Sequence, residues 1–117
     1  MNFKISIITV SFNSVHTIKD TIESIIAQDY ENIEYLIIDG GSKDGTVDVI
    51  KNYMNYVQYF SSESDDGIYD AMNKGIAAAT GDIIGILNSD DFYPNSFVLS
   101  NVAKSFTKYN CDAVYGD

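Results

Sequence analysis

Apolar residues along this chain follow two alternating patterns, one typical of buried strands and one typical of amphipathic helices. Short runs rich in β-branched residues end in glycine or polar residues, and each run predicts a strand. The runs are nearly continuous in apolar character, which favours strands of a parallel sheet covered on both faces. The predicted strands are Lys4–Val10, Ile33–Ile38, Val57–Phe60 and Asp82–Leu87, and a fifth occupies Ala113–Tyr115.

Between these strands, apolar residues recur at intervals of three and four positions, which predicts helices. Asn13 or Ser14 is expected to cap the first helix. Its apolar face comprises Val15, Ile18, Ile22, Ile25 and Ile26. The second helix is expected to turn Val47, Ile50 and Met54 inward. The third helix covers Ile68–Ala79 and is ended by Gly81, and the fourth carries Pro94 in its first turn and extends towards Lys108.

The resulting order, β-α-β-α-β-α-β-α-β, predicts an α/β fold with a mostly parallel sheet and helices on both faces. The chain has 117 residues and shows no repeat or linker, so residues 1–117 are expected to belong to one domain. The last predicted strand stops at Asp117 with no element after it. We therefore expect the chain to be part of a longer protein, and a strand without neighbours leaves self-association into a homo-oligomer open.

Polar residues follow each of the four main strands, on what would be one edge of the sheet. In open α/β sheets, ligands bind outside the carboxyl ends of the strands, so this edge is the candidate site. The alternative is that loops of an acidic protein are polar in any case, which accounts for single residues but less well for the whole set. The set is Ser11, Phe12 and Asn13, then Asp39, then Glu63, Asp65 and Asp66, then Asn88, Ser89, Asp90 and Asp91.

Asp90 and Asp91 are adjacent carboxylates at the end of a buried strand. Two like charges in such a place repel each other unless water or a cation separates them. A divalent metal ion with oxygen ligands fits this pair. The segment therefore predicts a metal site.

Composition limits the ligands that this edge can hold. The formal net charge is −10, from 17 acidic residues against seven lysines and no arginine, which argues against nonspecific nucleic-acid binding. Without a guanidinium group, a phosphorylated ligand needs backbone amides, a lysine or a metal cation. The acidic pair makes the cation the best of these.

Cellular location is predicted from the cysteine content, from the length of the apolar runs and from the N-terminal residues. The lone Cys111 forms no intrachain disulfide, no apolar run reaches 18 residues, and the N-terminus leads directly into a strand without a signal peptide. These features predict a cytoplasmic protein, with the inner face of the membrane as the open alternative.

The loop Asp39–Gly45 does not match known ion or phosphate loops. It lacks the Gly-Lys-Ser/Thr order of a phosphate-binding P-loop, and its third and sixth positions do not fit an EF-hand. The simplest interpretation is a glycine turn with Ser42 or Asp44 as a helix cap. A further interpretation is that Asp39 accepts the N–H of a nucleobase, on which Phe12 and Tyr69 could stack.

Taken together, these segments resemble the family 2 inverting glycosyltransferases of GT-A fold. Ser6–Asn13 resembles their first strand, and Ile38–Thr46 resembles their Asp-Asp-Gly-Ser-x-Asp-Gly-Thr motif. Ser62–Gly75 is similar to a segment of bacterial members that build surface polysaccharides, and Leu87–Asp91 looks like their Asp-x-Asp site. The similarity covers essentially the whole chain with even spacing.

The resemblance implies transfer of a sugar, with inversion, from a nucleotide-diphosphate sugar donor to a saccharide or lipid-linked acceptor in bacterial surface polysaccharide or glycoconjugate synthesis. It implies a Rossmann-like GT-A fold and Mg²⁺ or Mn²⁺ as cofactor. By the same resemblance, Asp39 binds the base, Asp90 ligates the metal, and Asp91 supports it or binds the donor sugar. The other implied donor-binding residues are Phe12 and Asn13, Asp66, and Asn88 and Ser89.

The chain departs from the family pattern at two positions. Gly40 replaces the second Asp of the usual pair, and Asn88 replaces the first Asp of Asp-x-Asp, so one metal ligand is lost or becomes indirect. The catalytic base of the family is expected beyond Asp117, which makes this chain the donor-binding part.

Two other classes of α/β protein share parts of this pattern. A noncatalytic nucleotide-sensing module of the same fold remains the alternative, and activity of the full-length protein would separate the two. A response-regulator receiver domain would need an acidic pair after strand one, where this chain has Ser11–Asn13.

Overall fold

The computed structural model describes residues 3–64 and 67–109. Helices and strands alternate throughout this part of the chain, as the apolar pattern predicts. The strands are β1 (Ile5–Ser11), β2 (Ile33–Asp39), β3 (Tyr59–Ser62) and β4 (Ile83–Ile86), and the helices are α1 (Ile18–Ile26), α2 (Thr46–Lys51), α3 (Ile68–Ala78) and α4 (Val98–Tyr109), with a short 3₁₀ helix at Met54–Tyr56. The fifth predicted strand, Ala113–Tyr115, lies outside the described residues.

The four described strands form one parallel sheet in the order β3-β2-β1-β4. The chain moves outward from β1 through β2 to β3 and then crosses back to place β4 on the other side of β1. Parallel strands need such crossover connections, which the helices supply. The space beyond the carboxyl ends of β1 and β4 is the switch point at which α/β sheets bind ligands.

Helices cover both faces of the sheet, so most strand residues are buried. On one face, α1, α2 and α4 pack against alternate residues of the strands, among them Ile7 and Ile37. On the other face, α3 packs against Ile8 and Leu36. This two-sided burial explains why the strands read as nearly continuous apolar runs.

Several predicted helix boundaries were wrong. Helix α1 begins at Ile18, and neither predicted residue caps it with its side chain. The side-chain oxygen of Asn13 accepts the Lys43 N–H, and the Ser14 hydroxyl bonds to Phe12 O and to Ser89. Thr17 occupies the N-cap position without a side-chain bond, and the Ser14 carbonyl accepts the Ile18 N–H at 2.9 Å.

The inward position of Met54 and the helical position of Pro94 were also wrong. Helix α2 ends at Lys51, and Met54 lies in the following 3₁₀ helix with 39% of its surface exposed. Helix α4 begins only at Val98, four residues after Pro94. None of the helices in residues 3–64 and 67–109 has the length and apolar character needed to cross a membrane.

Glu34 holds together the edge of the sheet opposite the candidate site. Its carboxylate accepts the N–H and hydroxyl of Thr80 at 2.8 and 2.7 Å and the Ser6 hydroxyl at 2.7 Å, and Lys4 Nζ lies 3.3 Å away. Burial alone would raise the pKa of Glu34, but the bonds from Thr80, Ser6 and Lys4 outweigh it and lower the pKa to about 2. The charged form is therefore the one that the fold favours.

We predict that Glu34→Gln flattens the acid dependence of stability. Because the pKa of Glu34 is lower in the folded chain, its stabilisation is fully present above the unfolded value and is lost as the pH falls towards about 2. Urea unfolding at a series of pH values should show a smaller fall below pH ~4.5 in the variant than in the parent. Glu31→Gln, which changes an exposed glutamate three residues earlier, is the control. The same flattening in both variants would contradict a special contribution from Glu34.

Candidate functional site

A cavity of about 580 Å³ opens at the carboxyl ends of the strands, beside the switch point between β1 and β4. Its volume is in the range of small-molecule sites. The walls come from the end of β1, from the segments after all four strands and from the start of α3. The described residues that line it are Val10, Ser11, Phe12, Ser14, Gly40, Ser64, Gly67, Ile68, Ala71, Asn88, Ser89 and Asp90.

The structure brings part of the predicted site together at this cavity. Phe12, Asn88, Ser89 and Asp90 line it, and Phe12 has 62% of its surface exposed. Asp91 follows as an exposed residue and does not belong to the described lining. Asn13, which is exposed, and Asp39, which is buried, do not belong to the described lining, and Asp66 is outside the described residues.

Asp39 is fully buried, and its carboxylate accepts five hydrogen bonds. Ser11 on β1 and Ser62 on β3 donate their hydroxyls at 2.8 and 2.9 Å, because both residues are the register partners of Asp39 in the sheet. Ser42 donates its N–H at 2.8 Å and its hydroxyl at 2.5 Å, and the Gly41 N–H donates at 3.1 Å. Asp39 thus joins the ends of three strands to the loop after β2.

The charge on Asp39 is stabilised by these donors. Burial raises the pKa of the carboxyl group, but the hydrogen bonds from Ser42, Ser11 and Ser62 outweigh it and hold the pKa below its usual value. A carboxylate with both oxygens already occupied has little capacity left for a ligand. This geometry favours a role in organising the loop over direct contact with a nucleobase.

Asn13 fastens the loop after β1 to the loop after β2. Its backbone adopts a left-handed conformation with φ of 48°, which asparagine tolerates better than most residues. Its N–H donates to Ser42 Oγ at 2.8 Å, and its side-chain oxygen accepts the Lys43 N–H at 2.9 Å. These two bonds fix the main chain next to Phe12.

The segment after β4 continues along β1 beyond the end of the strand. Leu87 N–H donates to Ile8 O at 2.9 Å, and Ser89 N–H donates to Val10 O at 3.2 Å. The buried Ser89 hydroxyl lies 2.6 Å from the Ser14 hydroxyl. The main chain of β1 therefore sets the position of Asn88, Ser89 and Asp90 at the cavity.

The residues at this position fit a divalent metal that is shared with a ligand. Asp90 and Asp91 are exposed, and Asn88 Oδ1 is buried without a hydrogen-bond partner. Within residues 3–64 and 67–109, no three carboxylate, imidazole or thiol groups converge on one point. Mg²⁺ suits such a sparse oxygen site, since it is commonly bound by one or two carboxylates together with substrate phosphates and water.

Sequence reasoning missed several residues of the cavity wall. The sequence predicts only a helix cap for Ser14 and only a place in the third helix for Ile68 and Ala71. Their place in the wall follows from the way α3 lies over the sheet, for which the sequence carries no local signal. Tyr69, a suggested stacking residue, has 79% of its surface exposed and does not belong to the described lining.

We predict that Asp39→Asn destabilises the fold. The amide presents an NH₂ group where the carboxylate accepts only, so at least one buried donor loses its partner, at a cost of about 1–3 kcal/mol. Chemical unfolding should show a loss of that size. Asp48→Asn, which changes an exposed residue of α2, should stay within about 0.5 kcal/mol of the parent. Equal stability of the two variants would remove the organising role from Asp39.

The family model described as glycosyl transferase family 2 matches residues 6–117. A glycosyltransferase of Mycobacterium tuberculosis is 38% identical over 104 residues, which cover 88% of this chain and 40% of that protein. A PGL/p-HBAD biosynthesis glycosyltransferase of Mycobacterium bovis is 32% identical over 116 residues, which cover 96% of this chain and 45% of that protein. The chain thus spans less than half the length of these curated relatives.

Solved structures agree on the fold. The mannosyltransferase PcManGT from Pyrobaculum calidifontis, in complex with GDP-Man and Mn²⁺, has a TM-score of 0.85 at 23% identity and covers 92% of this chain and 33% of its own. TarS 1-349 of S. aureus, in complex with UDP-GlcNAc, has a TM-score of 0.84 at 24% identity. The match covers 92% of this chain and 32% of the TarS chain. These similarities confirm the predicted GT-A fold. Because the family model spans nearly all of its residues, the chain belongs to glycosyltransferase family 2.

Proposed function

We propose that this chain binds the nucleotide-diphosphate sugar donor of an inverting glycosyl transfer, with Mg²⁺ or Mn²⁺ held at Asp90 and Asp91. The product would be a bacterial surface polysaccharide or another glycoconjugate, formed on a saccharide or lipid-linked acceptor. Membership of the family and the position of the cavity at the switch point of the sheet support this proposal.

The observation that carries the proposal is the charge of the cavity wall. Of the 12 described residues that line it, Asp90 alone carries a charge. A diphosphate placed there would meet a carboxylate and no described lysine. Its binding requires a cation between the two anions, and a divalent metal supplies that charge. The first turn of α3 also borders the cavity, and helix N-termini favour anions.

The remaining residues of the wall suit the other parts of the donor. Phe12 offers an exposed aromatic face on which a base can pack. Asn88 and Ser89 lie next to Asp90 and supply polar groups for the ribose. We assign Asn13 and Asp39 to support of the loops after β1 and β2, and Asp66, by the family resemblance, to the border of the nucleotide.

In this proposal, the chain binds the donor, and the catalytic base lies in a part of the full-length protein outside this chain. A divalent metal, when bound, would neutralise the charge that develops on the departing nucleoside diphosphate. The residues of the cavity would hold the donor so that an acceptor oxygen can attack the anomeric carbon from the opposite face. The base that takes the acceptor proton would come from the part of the relatives' length that this chain does not span, since the chain covers 40–45% of them.

We predict that Asp90→Asn abolishes the dependence of nucleotide binding on Mn²⁺. Titration calorimetry of the parent with UDP and with GDP should show at least one nucleotide binding at least tenfold more tightly with Mn²⁺ than without it, as expected when a metal bridges a carboxylate and a diphosphate. Asp90→Asn should bind that nucleotide equally weakly in both conditions. Asp48→Asn should behave like the parent because Asp48 is exposed on α2.

Two outcomes of this experiment would count against the proposal. Equal Mn²⁺-dependent affinity in Asp90→Asn and the parent would remove Asp90 from the metal site. Tight nucleotide binding by the parent without any metal would contradict the charge argument. Turnover of a sugar nucleotide onto an acceptor by the full-length protein separates a transferase from a noncatalytic nucleotide-binding module.

We predict that Asn88→Asp increases affinity for Mn²⁺ and lowers stability in its absence. A third carboxylate next to Asp90 adds negative charge to the metal site. The present Oδ1 position is buried without a hydrogen-bond partner, so an uncompensated charge there is unfavourable when no cation is bound. Thermal unfolding with and without Mn²⁺ measures both effects.

The control for this variant is Asn101→Asp, which makes the same change at an exposed position of α4. It should alter neither quantity. An Asn88→Asp variant with the parent's stabilisation by Mn²⁺ would show that residue 88 does not face the metal.

A further inference from the structure

Helix α1 is joined to the segment that carries the candidate metal ligands through a row of polar side chains. Thr21 and Ser24 on α1, and Gln28 just after it, lie at spacings of three and four residues and so share one side of the helix. Each bonds to the main chain between residues 89 and 99. The bonds are Thr21 Oγ1 to Ser89 O and Asp91 O, Tyr93 N to Ser24 Oγ, Gln28 Nε2 to Asn95 O, and Leu99 N to Gln28 Oε1.

Thr21 is the member of this row that flanks Asp90. Its hydroxyl oxygen lies 3.0 Å from the carbonyl oxygen of Ser89 and 2.5 Å from that of Asp91. These two carbonyls belong to the residues on either side of Asp90. Thr21 itself is buried, with 1% of its surface exposed, so water does not replace its hydroxyl in the folded chain.

The direction of the Asp90 carboxylate depends on the main chain around it, because the side chain itself is exposed. On one side, the Ser89 N–H is held by Val10 O of β1. On the other, the Thr21 hydroxyl has one hydrogen to donate and lies within hydrogen-bond distance of the carbonyls before and after Asp90, the nearer being that of Asp91. Two contacts from different elements, a strand and a helix, therefore fix the orientation of these peptide groups.

We propose that Thr21 is a positioning residue for the metal site, acting through the main chain on the carboxylate of Asp90. This inference rests on the proposed function, which places a divalent metal at Asp90. Without the Thr21 hydroxyl, the carbonyls of Ser89 and Asp91 lose the buried donor that they share. The turn then keeps only its bonds from Ser89 to β1 and Ser14 and from the Asp91 N–H to Asn88 O, so its peptide groups are less restrained. Groups that orient metal ligands indirectly commonly affect metal affinity by about 10- to 100-fold.

The test uses three variants and two measurements. Thr21→Val removes the hydroxyl and keeps the shape, and Thr21→Ser keeps the hydroxyl. Thr9→Val makes the same change at another fully buried threonine, whose hydroxyl bonds to Tyr35 Oη at 2.9 Å. The measurements are affinity for Mn²⁺, alone and with UDP, and amide hydrogen exchange of residues 88–92 without metal.

We expect Thr21→Val to bind Mn²⁺ about tenfold more weakly than the parent, with faster exchange at residues 88–92. Thr21→Ser should restore both quantities. Both Thr9→Val and Thr21→Val should lose fold stability, because each removes a buried hydroxyl. Only Thr9→Val should keep the parent's Mn²⁺ affinity. This pattern would separate positioning of the metal site from general destabilisation.

Other results would overturn the inference, and they differ from a failure of the proposed function. Parent-like Mn²⁺ affinity in Thr21→Val, or an equal loss in Thr9→Val, would remove the positioning role while leaving the metal site intact. Absence of Mn²⁺ binding in the parent would contradict the metal site itself, and with it the role of Thr21. In that case, faster exchange in Thr21→Val would indicate a purely structural contact.

Discussion

The buried carboxylate of Asp39 is the interaction on which the architecture of the site depends. It accepts hydrogen bonds from side chains on both neighbouring strands and from the loop that follows its own strand. The carboxyl ends of parallel strands expose unpaired main-chain groups and diverging loops. One anion surrounded by serine hydroxyls and amide N–H groups draws these ends together, and the loops then keep fixed positions around the cavity.

Further contacts connect the rest of the site to the loops that Asp39 holds. Asn13 links the loops after β1 and β2, and the β1 main chain carries Ser89 and its neighbours beyond the end of β4. From the other side, α1 contacts the same segment through Thr21, Ser24 and Gln28. The exposed groups that would meet a donor, Phe12 and Asp90, therefore stand on main chain that is held by buried contacts.

Much of this arrangement could be predicted from the sequence, and the failures have physical causes. Strand and helix order, the parallel sheet and the polar edge follow from periodicity, which reports burial directly. The start of α1 could not be predicted, because Thr17 at its N-cap makes no side-chain bond and the Ser14 side chain bonds to Ser89 instead. For Asp39, the sequence shows a carboxylate at a strand end, but only the register reveals that Ser11 and Ser62 lie beside it. The apolar part of the cavity wall depends on how α3 packs, which no local pattern records.

Strand β2 carries an anchored carboxylate near each end, Glu34 at its second residue and Asp39 at its last. Between them lies an almost uniform apolar stretch, in which a shift by two residues would return apolar side chains to the same faces of the sheet. Apolar packing alone would therefore distinguish poorly between the native alignment and its shifted versions. Two carboxylates that find their donors only in one alignment make the shifted versions unfavourable, so the polar groups at the two ends specify the pairing of a strand whose interior is almost entirely apolar.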